Sequence, residues 1–433
     1  MTASAAGPGP GGPRAAESGT AQSGTAQDGA AQDGAAQDGA AQDGAAQDGA
    51  AQDGAAQDGA AQDGAAQDGA AGPGSAIVIG AGLIGTSVAL ALRARGTRVW
   101  LTDTDEAGAR LARDIGAGEL LPPGGPPGGP ADLAVLAVPP AAVAAELAAA
   151  QARGLARCYT DVASVKALPL RAAAQLGCDL SSFVAGHPLA GRERSGPAAA
   201  RADLFLGRPW VLCPAPETSA AALATATGLV SACGAQPVVL SAAEHDRYVA
   251  LVSHVPQLIA AAMAARLDGA PHDALALAGQ GLRDVTRIAA GDPGLWTQIF
   301  IANAGPVAQI AAQAAEDLAA AAAALARVAA GDEDAVKELT GLLERGGAGV
   351  ASIPGKRGGP APDYAIVQVV IPDRPGELAR LFEAAGAAGI NIEDVGIEHS
   401  PGLPAGVAEL AVRPAAVERL TTALAACGWP VRR

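Results

Sequence analysis

The sequence predicts an α/β protein of three folded units behind a low-complexity tail. The first is a doubly wound domain of Rossmann type, the second is all helical, and the third is a small βαββαβ unit of ferredoxin-like topology. Three observations carry this reading. Short apolar runs alternate with helical patterns over residues 75–240. Strand patterns then stop, and Ala- and Leu-rich helical segments fill residues 241–345. Beyond Tyr364 strands and helices alternate again on a smaller scale. At 433 residues the chain is long enough for several domains of about 100–200 residues each.

Residues 1–74 repeat Ala-Ala-Gln-Asp-Gly and contain no Leu, Ile, Val or aromatic residue. Such a segment cannot bury enough apolar area to offset its ordering entropy, so disorder is expected there. A period of five is far too short for a solenoid repeat. At Ser75 the texture changes. Ala76-Ile77-Val78-Ile79 reads as a buried parallel strand, and a helical pattern runs from Leu83 to Arg95. Strands are expected at Arg98–Thr102, Asp132–Val138, Cys158–Val162, Phe183–Ala185, Trp210–Leu212 and Pro237–Leu240. The helical domain follows over 241–345, and the Gly- and Pro-rich stretch 346–362 reads as a linker. The third unit, 363–433, is expected to run strand Ala365–Ile371, helix Glu377–Ala388, strand Asn391–Glu398, strand Val407–Val412, helix Ala415–Ala426 and a last short strand.

Composition excludes several function classes. The net charge is −15, of which −9 falls in the tail, leaving a modest −6 elsewhere. That balance lacks the clustered cations a nucleic-acid binder needs. The five cysteines (158, 178, 213, 233 and 427) form no CxxC pair, so no metal site is signalled. Sparse thiols and the absence of a basic-then-apolar leader point to the reducing cytoplasm. Two stretches, Tyr248–Ala265 and Pro293–Ala315, carry no charge but include His, Ser, Gln, Asn and internal Pro. They read as buried helices of a soluble core, not as membrane spans, and as the core of a homodimer.

Gly80-Ala81-Gly82-Leu83-Ile84-Gly85 fits the GxGxxG turn between a strand and a helix. Gly80 makes the tight turn, Gly82 lets a pyrophosphate approach, and Gly85 lets the helix pack closely. Asp103 stands 23 positions after Gly80 at a strand end, placed to accept the adenosine ribose hydroxyls and to repel a 2′-phosphate. NAD is therefore expected over NADP, although Arg110 blurs the preference. Val138 and Pro139, at the end of the third strand, are also expected along the cofactor.

Three polar clusters mark the reacting end. Asp161-Val162-Ala163-Ser164-Val165-Lys166 and Gly186-His187-Pro188-Leu189-Ala190-Gly191, with Glu193 and Ser195 beyond, each follow a strand, where open α/β sheets bind ligands. The third joins Glu244-His245-Asp246, Ser253-His254-Val255-Pro256-Gln257, Arg283, Arg287 and Trp296. Arg283 and Arg287 share a face if helical, which suits a carboxylate ligand or a salt-bridge network.

Together these motifs resemble the prephenate dehydrogenase family of tyrosine biosynthesis, over about residues 75–345. The third unit resembles an ACT domain through Ile371–Leu378 and Asn391-Ile392. The resemblance implies NAD-dependent oxidative decarboxylation, with His187 catalytic and Ser164 its hydrogen-bonding partner. It implies that Arg287 binds a substrate carboxylate and that His254, Gln257, His245, Asp246 and Trp296 line or support the site. Some family members have His where Gln257 stands, which leaves prephenate and arogenate both open as substrates. Other two-domain NAD(P) oxidoreductases share the glycine turn without the His187 and Arg287 motifs. The ACT resemblance implies an amino-acid effector, tyrosine, at Asp373, Pro375, Gly376, Glu377, Leu378, Asn391 and Ile392.

Overall fold

A computed structural model of the protein describes residues 72–190, 196–354, 364–399 and 404–432. Most of the expected tail, residues 355–362 of the expected linker, and Gly191, Glu193 and Ser195 lie outside the described residues. The first domain includes residues before Ser75: Thr97 Oγ1 donates to the Pro73 carbonyl at 2.8 Å, and Arg98 N to that of Gly74 at 3.0 Å. The expected tail boundary at 74 therefore moves back by a residue or two, because these carbonyls extend the β1 edge.

The first domain runs β1 (Ser75–Ile79), α1 (Leu83–Ala94), β2 (Arg98–Thr102), α2 (Glu106–Asp114), β3 (Glu119–Leu120), β4 (Ala131–Leu136), α3 (Val143–Ala152), β5 (Ala156–Asp161), α4 (Ala167–Gln175), β6 (Phe183–Pro188), β7 (Pro209–Pro214), α5 (Ala220–Ala232) and β8 (Gln236–Val239). They form one eight-stranded sheet in the order β3-β2-β1-β4-β5-β6-β7-β8. Its central strands are apolar on both faces, as expected when helices cover both, while the edge strands β3 and β8 are exposed. Val78, Leu101, Leu133 and Trp210 pack on one side, and Ile77, Leu136, Tyr159 and Phe183 on the other. Strand order reverses between β1 and β4, which opens a crevice at their carboxyl ends.

One part of the alternation fails. β7 pairs with β6 antiparallel, with only a short 3₁₀ turn at Pro197–Ala199 among the described residues between them. β6 is also longer than expected, so His187 lies within the strand and not beyond it, paired with Val211.

The second domain comprises α6 (Ala242–Val249), a π-helical turn (Ala250–His254), α7 (Val255–Ala264), α8 (His272–Ala276), α9 (Gln280–Thr286), α10 (Pro293–Ala302), α11 (Ala304–Ala329) and α12 (Val336–Ala351). Both uncharged stretches are helical but not uniformly buried. Leu251, Val252 and Ile301 are 58%, 67% and 71% exposed, and the apolar cluster around Ala250, Val255 and Val307 is small. Such an open apolar surface belongs against another surface. No helix among the described residues is long and apolar enough to cross a membrane.

The expected linker start at Gly346 is also corrected. α12 continues through Gly346, Gly347 and Gly349 to Ala351. Each interior glycine costs only about 1 kcal/mol, and α12 lies along α11, with the pairs Arg345–Asp317 and Arg327–Glu338 between them. The first residue a helix cannot continue through is Pro354.

The third unit runs β9 (Ala365–Pro372), α13 (Glu377–Ala387), β10 (Asp394–His399), β11 (Ala405–Val412), α14 (Val417–Ala426) and β12 (Val431–Arg432). Its antiparallel sheet has the order β10-β11-β9-β12. Val367, Val369, Leu381, Leu410 and Leu424 form its own core.

Leu136, fully buried in the central strand β4, lies at the middle of the first domain. Leu136→Ala is expected to lower unfolding free energy by about 2–5 kcal/mol, measured by urea titration.

Candidate active site

The glycine turn is built as its spacing requires. Gly80 has φ +103°, and a Cβ there would stand 2.2 Å from the Ala137 carbonyl oxygen. A Cβ on Gly85 would fall 1.9 Å from the Gly80 carbonyl oxygen. The third glycine therefore lets α1 close onto the turn. Gly82, the N-cap, faces open space, and no side chain caps the helix there. The first N–H groups of α1, which carries Leu83 and Ile84, are left for an anion. Asp103 is pinned at the rim: its Oδ2 accepts from Ala81 N at 2.5 Å and its Oδ1 from Asp105 N at 2.8 Å. Arg110, the residue that blurred the cofactor preference, pairs instead with Glu106 at 3.0 Å. A groove of about 250 Å³ runs from Gly80 and Asp103 past Val138 and Pro139 to Glu146 and Arg153 on α3. The cradle, the open helix end and the carboxylate fit a dinucleotide without a 2′-phosphate.

The reacting end starts from a buried ion pair. Asp161 ends β5, and Lys166 is the N-cap of α4; both are fully buried. The Lys166 ammonium donates to the Asp161 carboxylate and, at 2.5 Å, to the Gly186 carbonyl. Asp161 also accepts from Gly186 N and Ala163 N, both at 3.0 Å. Each charge thus has several partners, which a buried pair requires. The strand segment that presents His187 is gripped from both sides of Gly186.

His187 is half-buried and reaches across to α6. Its Nδ1 lies 2.9 Å from His245 Nε2, and His245 Nδ1 lies 2.8 Å from Asp246 Oδ1. Asp246 in turn accepts from Lys166 N at 2.7 Å and Ala167 N at 2.9 Å, at the start of α4. This corrects the expected role of Ser164. Among the described residues its hydroxyl makes no hydrogen bond to His187, whose Nδ1 faces His245 instead. Ser164 stays in the β5–α4 loop, half-buried.

The π-helical turn delivers His254 to the same cluster. Asn303 Nδ2 donates to the Asp246 carbonyl at 2.8 Å and lies 3.1 Å from His254 Nδ1. The Trp296 ring stands edge-on to His254 at 6.1 Å, and a Cβ on Gly291 would meet the Trp296 Nε1 at 2.5 Å and the buried Gln257 Nε2 at 3.6 Å. His187, His245, Asp246, His254, Trp296 and Gln257 are thereby linked. Asn303 was missed by sequence reasoning; its one signal is a lone amide inside an uncharged helical stretch. Arg287 begins the 3₁₀ turn Arg287–Ala290, which packs on α7 and leads to Gly291. It is exposed and makes no ion pair among the described residues, as is also true of Arg283. Both rings at the centre stay neutral near pH 7. Desolvation first, then the charges of His245, Lys166 and His254, hold His187 well below 6.5, and burial brings His254 down to about 4.

In the third unit, Asp373 and Pro375 are exposed in the turn after β9, and Gly376 takes φ +89° as the N-cap of α13. Glu377 pairs with Arg380 at 3.0 Å, Leu378 and Ile392 border the core, and Asn391 Nδ2 donates to Glu393 at 2.7 Å.

Comparison with known proteins matches these parts. The family description "Prephenate dehydrogenase, nucleotide-binding domain" matches residues 88–239, and "Prephenate dehydrogenase, dimerization domain" matches 241–342. The chain is 43% identical over 359 residues to the probable prephenate dehydrogenase NovF of Streptomyces niveus, covering 82% of this chain and 98% of that protein. Among solved structures, it is similar to the A. aeolicus prephenate dehydrogenase in complex with hydroxyphenyl propionate and NAD+, at 26% identity and a TM-score of 0.54, covering 63% and 96% of the two chains. It is also similar to Synechocystis arogenate dehydrogenase, at 26% identity and a TM-score of 0.52, covering 64% and 98%.

Because folding lowers the affinity of His187 and His254 for protons, their stabilising contribution is complete above pH 6.5. It is lost as pH falls toward about 4. Urea-unfolding free energy is expected to decline over that interval, and His254→Gln should flatten the decline.

Proposed function

The chain belongs to the prephenate dehydrogenase family, and on that premise we propose that it converts prephenate to 4-hydroxyphenylpyruvate by NAD-dependent oxidative decarboxylation. The observation that carries the reading is a neutral histidine, His187, held at a strand end within a buried hydrogen-bonded cluster, in the same domain as a dinucleotide cradle. Bound NAD supplies the hydride acceptor. The chain's own residues have the remaining tasks. Gly80, Gly82 and Gly85, with the α1 N-terminus and Asp103, hold the cofactor. His187 takes the proton of the ring hydroxyl as the hydroxyl-bearing carbon gives up its hydride. Carbon dioxide leaves the opposite ring carbon, and its bonding electrons complete the aromatic ring. Arg287 holds a substrate carboxylate and so orients the ring. Gln257 and Trp296 face the substrate side chain, and Ser164 borders the reacting hydroxyl.

Arogenate is the second reading. The buried Gln257 amide can donate to a keto oxygen or accept from an ammonium, so it suits either side chain. The exposed apolar helices of the second domain support a homodimer, as the family description of that domain suggests. The five free thiols suit a reducing cytoplasm. The third unit is read as a ferredoxin-like ACT domain that binds tyrosine. Its βαββαβ order and the turn Asp373–Gly376 before the α13 N-terminus support that reading.

Steady-state assays with prephenate and arogenate, each with NAD and NADP, test the assignment; turnover is expected to be highest with prephenate and NAD. His187→Asn should lower kcat by about 10²–10⁴-fold with NAD affinity kept, whereas Arg287→Ala should chiefly raise the substrate KM. An Arg287→Ala variant impaired only in NAD binding would reassign that residue. Tyrosine should inhibit the full chain but not a variant lacking residues 361–433; equal inhibition of both would place tyrosine at the active site.

A further inference from the structure

We propose that Asp246, acting through His245, sets the tautomer of His187, placing its proton on Nδ1 and leaving the Nε2 lone pair as the base. His187 can accept a hydroxyl proton only through a nitrogen that carries none, so the identity of that nitrogen decides whether the site works. The inference rests on the catalytic reading of His187, but its first test does not require turnover.

The backbone N–H groups of Lys166 and Ala167 point at Asp246 Oδ1 and Oδ2, at 2.7 and 2.9 Å. Two fixed donors, one on each oxygen, call for an acceptor on both, which is what a carboxylate offers. His245 Nδ1, 2.8 Å from Oδ1, is therefore the donor in that contact. A neutral imidazole with its proton on Nδ1 presents a lone pair at Nε2. That lone pair lies 2.9 Å from His187 Nδ1, so His187 donates there and its own Nε2 is bare. With His245 neutral, the opposite arrangement would set two lone pairs, or two N–H groups, against each other in a buried cluster. His245 and Asp246 are 0% and 3% exposed, so water cannot relieve such a mismatch. Asn303 braces the relay, since its donation to the Asp246 carbonyl ties α6 to the junction of α10 and α11.

The two residues are thus positioning residues. They never need to move a proton: His187 gains one at Nε2 during reaction and keeps its donation to His245 throughout. A carboxylate orients a catalytic histidine in the same way in serine proteases, where replacing it by the amide leaves the geometry but inverts the tautomer.

The direct test is nitrogen NMR of the full chain labelled at its five histidines, at neutral pH and without substrate. Assignments come from His187→Asn and His245→Gln. Both rings are expected to be neutral with the proton on Nδ1. A His187 protonated on Nε2, or an imidazolium at His245, overturns the proposal. The second test is Asp246→Asn, whose carboxamide can donate toward His245 Nδ1 and so reverse both rings. In that variant His187 is expected to carry its proton on Nε2, and kcat on the better of the two substrates to fall by about 10²–10⁴-fold. NAD affinity, read by fluorescence titration, is expected to hold. A variant that loses kcat while His187 keeps its Nδ1 proton overturns the proposal and leaves Asp246 a purely structural role. If Asp246→Asn does not fold, the wild-type measurement still decides. Should neither prephenate nor arogenate be turned over, the functional reading fails while the tautomer result stands or falls on its own spectrum.

Discussion

The buried ion pair between Asp161 and Lys166 fixes the frame on which the site is assembled. It joins the end of β5 to β6 at both the N–H and the carbonyl of Gly186, one residue before His187. Ion pairs of this kind contribute little net stability, because desolvation offsets much of the attraction. Their geometry is demanding, however, and here every partner is satisfied. The pair therefore specifies one arrangement of two strand ends and places a positive charge that helps to keep His187 unprotonated.

A second consequence follows from the backbone of the same lysine. Lys166 N and Ala167 N receive the Asp246 carboxylate, so the short loop after β5 also anchors the first helix of the second domain. One loop at the meeting of the two domains thereby carries both a charge clamp and an anion-binding helix start. The chemistry placed there needs a neutral base and little else from the protein, since the hydride acceptor comes from the cofactor.

The second and third domains differ in how complete they are. The helical domain leaves Leu251, Val252, Ile301 and Leu343 open, with a small apolar cluster of its own. The third unit buries Val367, Leu381, Leu410 and Leu424 within itself. The first pattern suits an element whose apolar face is covered by another surface, and the second suits a module with its own stability.

The sequence by itself determined whatever depends on near neighbours along the chain. The GxGxxG turn with Asp103, the strands of the first domain apart from the two-residue β3, and the βαββαβ order of the third unit all follow from local periodicity and turn chemistry. Of the polar clusters the sequence named His187, His245, Asp246 and His254, which the fold brings together, but not Asn303, which joins them. Tertiary structure decided what depends on distant pairing. His187 and His245 are 58 positions apart, and no local pattern says that this ring, and not Ser164, takes the Nδ1 contact. The burial of Asn303, the antiparallel entry of β7 and the exposure of Leu251 and Val252 were equally unreadable. Glycines at 346, 347 and 349 looked like a linker because propensity is local, yet α12, lying along α11, continues through them to Ala351. Local chemistry names the groups, while the closing of long loops chooses which of them touch.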